Sequence, residues 1–343
     1  MDNPKHIFYL TNGSIGDFLM VLFLMENIHE SASFSKTKLH IVVPSRNFSF
    51  LQSIAKAYPF IRLHRGGVLG GVVTLRYIFS KKIVITPPTP GVLSHKIKVY
   101  GKALSFFSGS IFVGFRDLSN DNSYYDILLT YNTKQPYVDT MQDIVRAIGG
   151  VISKKIPTLI FQENLNTLSH YALSKGEYIV IAPYAATKGR SITKEDILRI
   201  IEEITVRPSG YKIVLVGSLR DRKELVNIVG EGAGNVVNLA GVLSFSELAT
   251  IIAHTQLFIG VDTGTSHIAG FLGVKSIVVA HNGTPNWLPY YNKNARILYR
   301  VHNCIHKIHE GREHLEECRG KVLRALDYVE APHVLSVMNE MIL

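Results

Sequence analysis

The chain runs to 343 residues, room for roughly two domains at about 150 residues each; 46% hydrophobic and 19% charged residues exclude a disordered, collagen-like or coiled-coil chain. With 37 lysines and arginines against 27 aspartates and glutamates the formal charge is +10, which favours acidic partners such as phosphates or anionic lipid; the absence of a recognised RNA or DNA module argues against nucleic acid. Only two cysteines, Cys304 and Cys318, occur, so a disulfide framework is excluded and a reducing, cytoplasmic compartment is expected.

In chain order, residues 7–10 (IFYL) read as a strand, followed by a glycine-containing loop and the apolar run 18–25 (FLMVLFLM). That run is far short of the ~20 residues a membrane span needs. Turn chemistry and a carboxylate at 11–17 (TNGSIGD) interrupt what a signal peptide would keep apolar, so the run is read as a buried helix. Strands follow at 39–43, 82–85 and 127–129, with a helix near 140–147. The pattern weakens between Gly149 and Lys175, then resumes with strands at 178–182, 212–216, 236–239, 257–259 and 276–280 and helices at 194–203 and 246–253. Alternating strands and helices predict α/β architecture: two halves of similar size, each with a parallel sheet covered on both faces, and a ligand cleft between them at the carboxyl ends of the strands. The expected division is 1–155, a linker at 156–175, a second domain at 176–320, and a helix at 321–343 packing back across both.

Three loops hold residues suited to chemistry. Residues 258–273 (FIGVDTGTSHIAGFLG) read as a strand ending at Val261, a turn of Asp262, Thr263, Gly264, Thr265 and Ser266, and a helix from His267. Such a turn offers unpaired N–H groups, hydroxyl donors and the positive end of a helix dipole to a diphosphate; the competing reading is that Asp262 or Thr263 merely caps the helix. In the first loop, Gly13, Ser14 and Gly16 permit close approach to the backbone, and Asp17 is either a general base or a carboxylate complementing the helix dipole. The loop lacks a full G-x-G-x-x-G fingerprint, so a nicotinamide dinucleotide is weakly supported. In the third, residues 182–193 (APYAATKGRSIT), Lys188 and Arg190 either face a pyrophosphate or are solvated surface charge. His95, Lys98 and Lys102 recur at near-helical spacing with Lys96 nearby, as an anion-binding face or an ordinary solvated one. The crowded His302, Cys304, His306, His309, His314 and Cys318 match no standard zinc spacing and are read as an exposed polar loop, with no metal expected.

Together these loops, with Asn238-Leu239-Ala240-Gly241, Glu247-Leu248 and Gly283-Thr284-Pro285-Asn286-Trp287, resemble glycosyltransferase family 9, whose best-known members are the ADP-heptose lipopolysaccharide heptosyltransferases. D-T-G-x-x-H followed by A-x-x-L-G and then G-T-P is the most specific part. The resemblance implies the GT-B fold, two Rossmann-like domains with parallel sheets facing a central cleft, with the acceptor held by the N-terminal domain and the nucleotide-sugar donor, ADP-linked in the best-known members, by the C-terminal one. Position by position it makes Asp17 the catalytic base. It assigns Asp262, Thr263, Gly264 and His267 to the donor diphosphate, with Thr265 and Ser266 in the same turn, and Gly217, Ser218, Leu239, Ala240 and Gly241 to the nucleotide base. Arg190 falls where the family has a basic residue before a tryptophan; Ile192 stands near that tryptophan's place here, so Lys188 remains a candidate beside it. Gly13, Ser14, Gly16, Lys98 and Lys102 fall in the acceptor domain. The implied reaction is inverting transfer to a lipopolysaccharide-core or related glycan acceptor at the inner face of the inner membrane, peripherally bound. No D-x-D pair occurs in the chain, which disfavours metal-clamped phosphate chemistry, and no cofactor is expected. Another GT-B sugar-nucleotide enzyme such as an epimerase, or a non-catalytic ligand-binding protein of the same fold, are the alternatives.

Overall fold

The computed structural model describes residues 4–66, 77, 79–88, 95–106, 109–116, 124–132, 135–186, 190–207, 210–230, 234–280, 287–299 and 331–342. The chain divides into two compact units, Met1–Ile160 and Phe161–Leu343.

The first unit is built on a parallel sheet of six strands: β1 (His6–Leu10), β2 (Lys38–Val43), β3 (Ile61–Arg65), β4 (Lys82–Ile85), β5 (Ile111–Phe115) and β6 (Ile127–Leu129), in the order β3-β2-β1-β4-β5-β6. Strand β1 lies at the centre, where the strand order reverses, and all five of its residues are buried. The apolar run that follows it is helix α1 (Ile15–Glu30), buried continuously from Phe18 to Ile28. An apolar surface on every side suits this central position; each such Leu or Phe contributes roughly 1.5–3 kcal/mol on burial. Helix α2 (Phe48–Ala55) follows β2, α3 (His95–Ser105) packs on β4 and β5, and α4 (Tyr137–Ala147) packs on α1.

The second unit repeats the plan with β7 (Tyr178–Ala182), β8 (Lys212–Leu215), β9 (Val236–Asn238), β10 (Leu257–Val261), β11 (Ser276–Ala280) and β12 (Ala295–Tyr299), all parallel, in the order β12-β11-β10-β7-β8-β9. Read in chain order this is the same 3-2-1-4-5-6 arrangement, with β7 and β10 at the reversal. Its helices are α5 (Asn166–His170), α6 (Lys194–Thr205), α7 (Leu219–Val229), α8 (Phe245–Ala253), α9 (Gly264–Phe271) and α10 (Ala331–Ile342). Helix α5, in the stretch expected to link the domains, packs on α8; α10 packs on α6 and β11, and residues 321–330 lie outside the described residues. The core contains Ile179, Ile181, Ile213, Leu215, Ile259 and Ile277 under α6 and α10.

Two polar features hold the first unit together. His6, His40 and His64, on adjacent strands, form a chain: His6 Nδ1 to His40 Nε2 at 3.0 Å and His40 Nδ1 to His64 Nε2 at 2.8 Å. Burial, helped by Lys38, Lys82 and Arg62, lowers His6 to about 4, and burial with His64 beside it lowers His40 to about 2, so both are neutral. The other feature pins the chain after α4 to α1. Asn27 Oδ1 accepts from the backbone N–H groups of Ser153 (3.0 Å) and Lys154 (2.9 Å), and Lys154 Nζ pairs with Glu26 at 3.0 Å and Glu30 at 3.3 Å. Glu26 is only 2% exposed, and burial pushes its carboxyl up against the opposing pull of Lys154.

Removing Lys154 strands that carboxylate. Lys154→Met is expected to lower unfolding stability by about 1–3 kcal/mol in urea denaturation near neutral pH, and Glu26→Gln in the same chain is expected to recover part of it. Equal losses in the single and double variants would show that the ion pair is not what holds this segment.

Candidate active site

In the first unit the loop after β1 is set by Gly13. Its φ is +78°, and a Cβ there would lie 2.5 Å from the Pro44 ring, so both conformation and space require glycine. The Gly13 N–H donates to Thr11 Oγ1 at 3.2 Å and its carbonyl accepts from Asn47 Nδ2 at 2.6 Å. Ser14 then caps α1, accepting from the Asp17 N–H at 3.1 Å and donating its hydroxyl to Asp17 Oδ2 at 2.6 Å. Asp17 thus occupies the helix-start position that a capping carboxylate would take. Burial nevertheless raises its affinity for a proton, and the Ser14 hydrogen bond only opposes that shift. The buried Tyr9 and Tyr137 hydroxyls lie close enough to feel its charge and are pushed up, chiefly by burial. A carboxyl whose pKa is raised among phenols is a better proton acceptor than a solvated one.

In the second unit β10 delivers Asp262 and Thr263 to the start of α9. Thr263 stands at the cap position, yet its side chain makes no cap bond; its hydroxyl bonds the Val261 carbonyl (3.3 Å) and the Thr265 hydroxyl (2.8 Å). The Ser266 hydroxyl donates to the same carbonyl at 2.5 Å. The hydroxyls therefore shape the turn. The N–H groups of Ser266 and His267 bond Thr263 O, leaving those of Gly264 and Thr265 without a protein partner among the described residues. Arg190 closes the loop from the other side: one terminal nitrogen donates to both the backbone oxygen and Oδ2 of Asp262, each at 2.6 Å. His267 is buried, with Nδ1 3.2 Å from the Tyr291 hydroxyl. Burial lowers its pKa against the raising effect of Asp262, and Arg190 lowers it further, so the ring is neutral.

The residues expected around a nucleotide base come together through the Gly241 N–H, which donates to the Gly217 carbonyl at 2.9 Å. Gly241 has φ +74°, and a Cβ there would meet the Leu219 backbone at 2.5 Å. Ser218 caps α7 in a capping box with Asp221, and Ala240 N–H donates to Asn238 Oδ1 at 3.2 Å. Arg222, not anticipated from the sequence, holds this turn by donating to the carbonyls of Asn238 and Ala240, both at 3.3 Å.

One expectation is corrected. Lys98 is 3% exposed and is not part of a solvated face. Positions 98, 101 and 105 form the inner stripe of α3, where Gly101 sits against Phe112 so closely that a Cβ would come within 2.4 Å of the ring. Lys102 is half-exposed and pairs with Asp126 at 3.5 Å. Lys188, residues 283–286 of the G-T-P motif and the His302 to Cys318 cluster lie outside the described residues. Among the described residues no group of histidines, cysteines or carboxylates is arranged to hold a metal ion.

The chain thus combines two doubly wound sheets with a turn after β10 whose first N–H groups lack a protein partner among the described residues and a desolvated carboxylate after β1. The chain belongs to glycosyltransferase family 9 (heptosyltransferase), whose profile matches residues 133–316, more than half of the sequence. It is 33% identical over 121 residues to lipopolysaccharide heptosyltransferase 3 of Escherichia coli, a stretch covering 34% of either protein, so the alignment spans about a third of that relative's length. The fold is shared with a family 9 glycosyl transferase from Veillonella parvula (TM-score 0.71, 14% identity, 100% of this chain and 98% of that one). It is shared also with an E. coli heptosyltransferase solved with ADP (TM-score 0.66, 15% identity, 98% and 99%).

The raised Asp17 carboxyl has a direct readout. In carbon-detected NMR titration it is expected to titrate above the ordinary aspartate range, and Ser14→Ala is expected to move the midpoint further up. Because the folded state holds this proton more tightly than the unfolded one, the group's contribution to stability falls as pH rises through that window. Asp17→Asn is therefore expected to fold at least as stably as wild type near neutral pH. A midpoint at or below that of free aspartate would contradict the assignment.

Proposed function

We propose that the protein is an inverting glycosyltransferase that moves a sugar, a heptose from ADP-heptose, to a lipopolysaccharide-core or related glycan acceptor, without a metal or other cofactor. The observation that carries this reading is the turn of Asp262 to His267 in a family 9 chain: unpartnered N–H groups at a helix start, with the Arg190 guanidinium fixed beside them. Those are the donors a departing diphosphate requires. ADP as the nucleotide is supported by the heptosyltransferase of the same fold that was solved with ADP.

In this mechanism Asp17 accepts the proton of an acceptor hydroxyl as that oxygen attacks the anomeric carbon. The bond from that carbon to the diphosphate oxygen breaks, its electron pair leaves with ADP, and the configuration inverts. The Gly264 and Thr265 N–H groups and Arg190 stabilise the charge on the leaving diphosphate; Asp262 holds Arg190 in place through two hydrogen bonds. Lys188 is assigned as a second cation for the diphosphate. Gly217, Ser218 and Leu239 to Gly241 are assigned to the nucleotide end, and Gly13, Ser14 and Gly16 to the acceptor side.

The protein is further assigned to the cytoplasmic face of the inner membrane as a peripheral protein. The +10 charge supports this, as do Phe106, 73% exposed at the end of α3, and the half-exposed Lys102 on the same helix. No helix among the described residues is long and apolar enough to cross a membrane. Each cation near an anionic surface contributes on the order of 1 kcal/mol, screened beyond about 8 Å at physiological salt.

Asp17→Asn is expected to bind ADP as wild type does while losing at least about a hundredfold in transfer rate, measured by calorimetry and by product formation from ADP-heptose. Transfer within a few fold of wild type would remove Asp17 as the base. Arg190→Gln is expected to weaken ADP about ten- to a hundredfold, the worth of one charge-assisted bond, and unchanged affinity would return Arg190 to a purely structural role. For the membrane, Lys96→Gln/Lys102→Gln/Phe106→Ser is expected to sediment less with anionic vesicles than wild type at low salt, and high salt to release both. Identical sedimentation would place any contact elsewhere.

A further inference from the structure

Tyr291 lies beyond every motif that the sequence singled out, yet it touches the donor turn. Its ring packs edge-on against Phe271 of α9, with centroids 5.4 Å apart, and its hydroxyl is 3.2 Å from His267 Nδ1. A Cβ at Gly270 would come within 3.0 Å of that hydroxyl and 2.8 Å of Pro289 Cβ, so the absence of a side chain at position 270 is what lets the segment sit against the helix. Among the described residues His267 is the hydroxyl's hydrogen-bond partner.

That geometry decides where the imidazole proton sits. A neutral histidine carries one N–H, and a phenol has one proton to give. If His267 donated from Nδ1, the Tyr291 hydroxyl proton would be buried without an acceptor among the described residues, an arrangement that folded proteins avoid. If Tyr291 donates to Nδ1, the hydroxyl and Nδ1 are both satisfied and the ring proton is on Nε2, the one polar atom of the pair then left without a protein partner among the described residues. Burial keeps the imidazole neutral and holds the phenol well above its ordinary range, so Tyr291 retains the proton it donates.

We propose that Tyr291 is a positioning residue that locks His267 in the Nε2–H tautomer, so that the end of the first turn of α9 presents an N–H donor, and not a lone pair, to the donor diphosphate. This rests on the donor-binding reading of the Asp262 to His267 turn. A lone pair at that place would repel phosphate oxygens, whereas an N–H extends the row of donors formed by Gly264 and Thr265. The hydroxyl of Tyr291 acts through His267 and needs no contact with the ligand.

The test uses the full chain with ring-labelled histidine. Long-range proton–nitrogen spectra of wild type, with His267→Gln to assign the signal, are expected to show His267 as the Nε2–H tautomer. Tyr291→Phe keeps the ring and its contact with Phe271, and is expected to give a mixture of tautomers and to bind ADP about three- to tenfold more weakly. In the His267→Gln background the same change is expected to leave ADP affinity where His267→Gln put it, because glutamine has no tautomer to set. A Tyr291→Phe protein that melts earlier but keeps both the tautomer and the ADP affinity would reduce Tyr291 to packing and overturn the proposal. An Nδ1–H tautomer in wild type would overturn it even if Tyr291→Phe does not fold. Failure of wild type to bind ADP is a separate outcome: it removes the donor-binding reading itself, and with it this proposal's ligand.

Discussion

Everything functional in this protein depends on one constraint of parallel sheets. A parallel strand must be followed by a crossover that returns to the same end, so helices cover both faces, and where the strand order reverses two neighbouring loops leave in opposite directions. Both units share the 3-2-1-4-5-6 order, which puts β1 beside β4 in the first and β7 beside β10 in the second. At those places the carboxyl end of a buried strand runs straight into a helix start, and backbone N–H groups lack intrahelical partners. Asp17 follows β1 and Asp262 follows β10, so topology alone sets each carboxylate where a ligand can meet a helix terminus.

The two carboxylates are then handled in opposite ways. Asp262 is clamped by a guanidinium through its side chain and its backbone oxygen, and the adjoining N–H groups of Gly264 and Thr265 have no protein partner among the described residues. Among the described residues Asp17 has no cation in hydrogen-bond contact; a serine hydroxyl and buried phenols surround it, and desolvation raises its pKa. A clamped carboxylate is a scaffold for positive charge. A desolvated one is poised to take a proton. The same residue type at the same kind of topological position thus stands in opposite electrostatic settings in the two units, and these are the settings that the proposed reaction asks of a diphosphate clamp and of a base.

The central strands were legible because their sequences are apolar throughout, as burial on both faces demands: residues 7–10, 178–182, 257–259 and 276–280 were each found within a residue or two of their observed ends. The strands that escaped reading have other obligations. Strand β3 (IRLHR) and β12 (ARILY) are edge strands, and charge at an edge discourages pairing with another chain while erasing the apolar signal. Strand β5 (IFVGF) is interrupted by Gly114, where the Tyr125 ring lies so close that a Cβ would be 2.0 Å away. Lys98 looked exposed because lysine usually is, and only the packing of α3 on β4 and β5 turns it inward. The chain of three histidines was invisible for a similar reason: residues 6, 40 and 64 become neighbours only through the register of β1, β2 and β3.

The glycines show where sequence reading of a site has to give way to geometry. Glycine in a strand-to-helix loop invites the inference that a ligand approaches the backbone, yet at Gly13 the approaching group is the Pro44 ring and at Gly241 it is the Leu219 backbone. Both also have positive φ, so a side chain would be strained there whether or not a ligand binds. Gly217 is crowded by the Asp221 carboxylate that completes the α7 capping box. These residues therefore build the walls of the loops and owe their identity to the protein's own packing. Among the described residues, the groups at these two loops whose hydrogen-bonding capacity the fold does not consume are the N–H groups of Gly264 and Thr265 and the Nε2 of His267 in one unit, and the second carboxylate oxygen of Asp17 in the other. Unspent donors and acceptors at a point of strand reversal, more than the glycines beside them, mark where the proposed chemistry would be done.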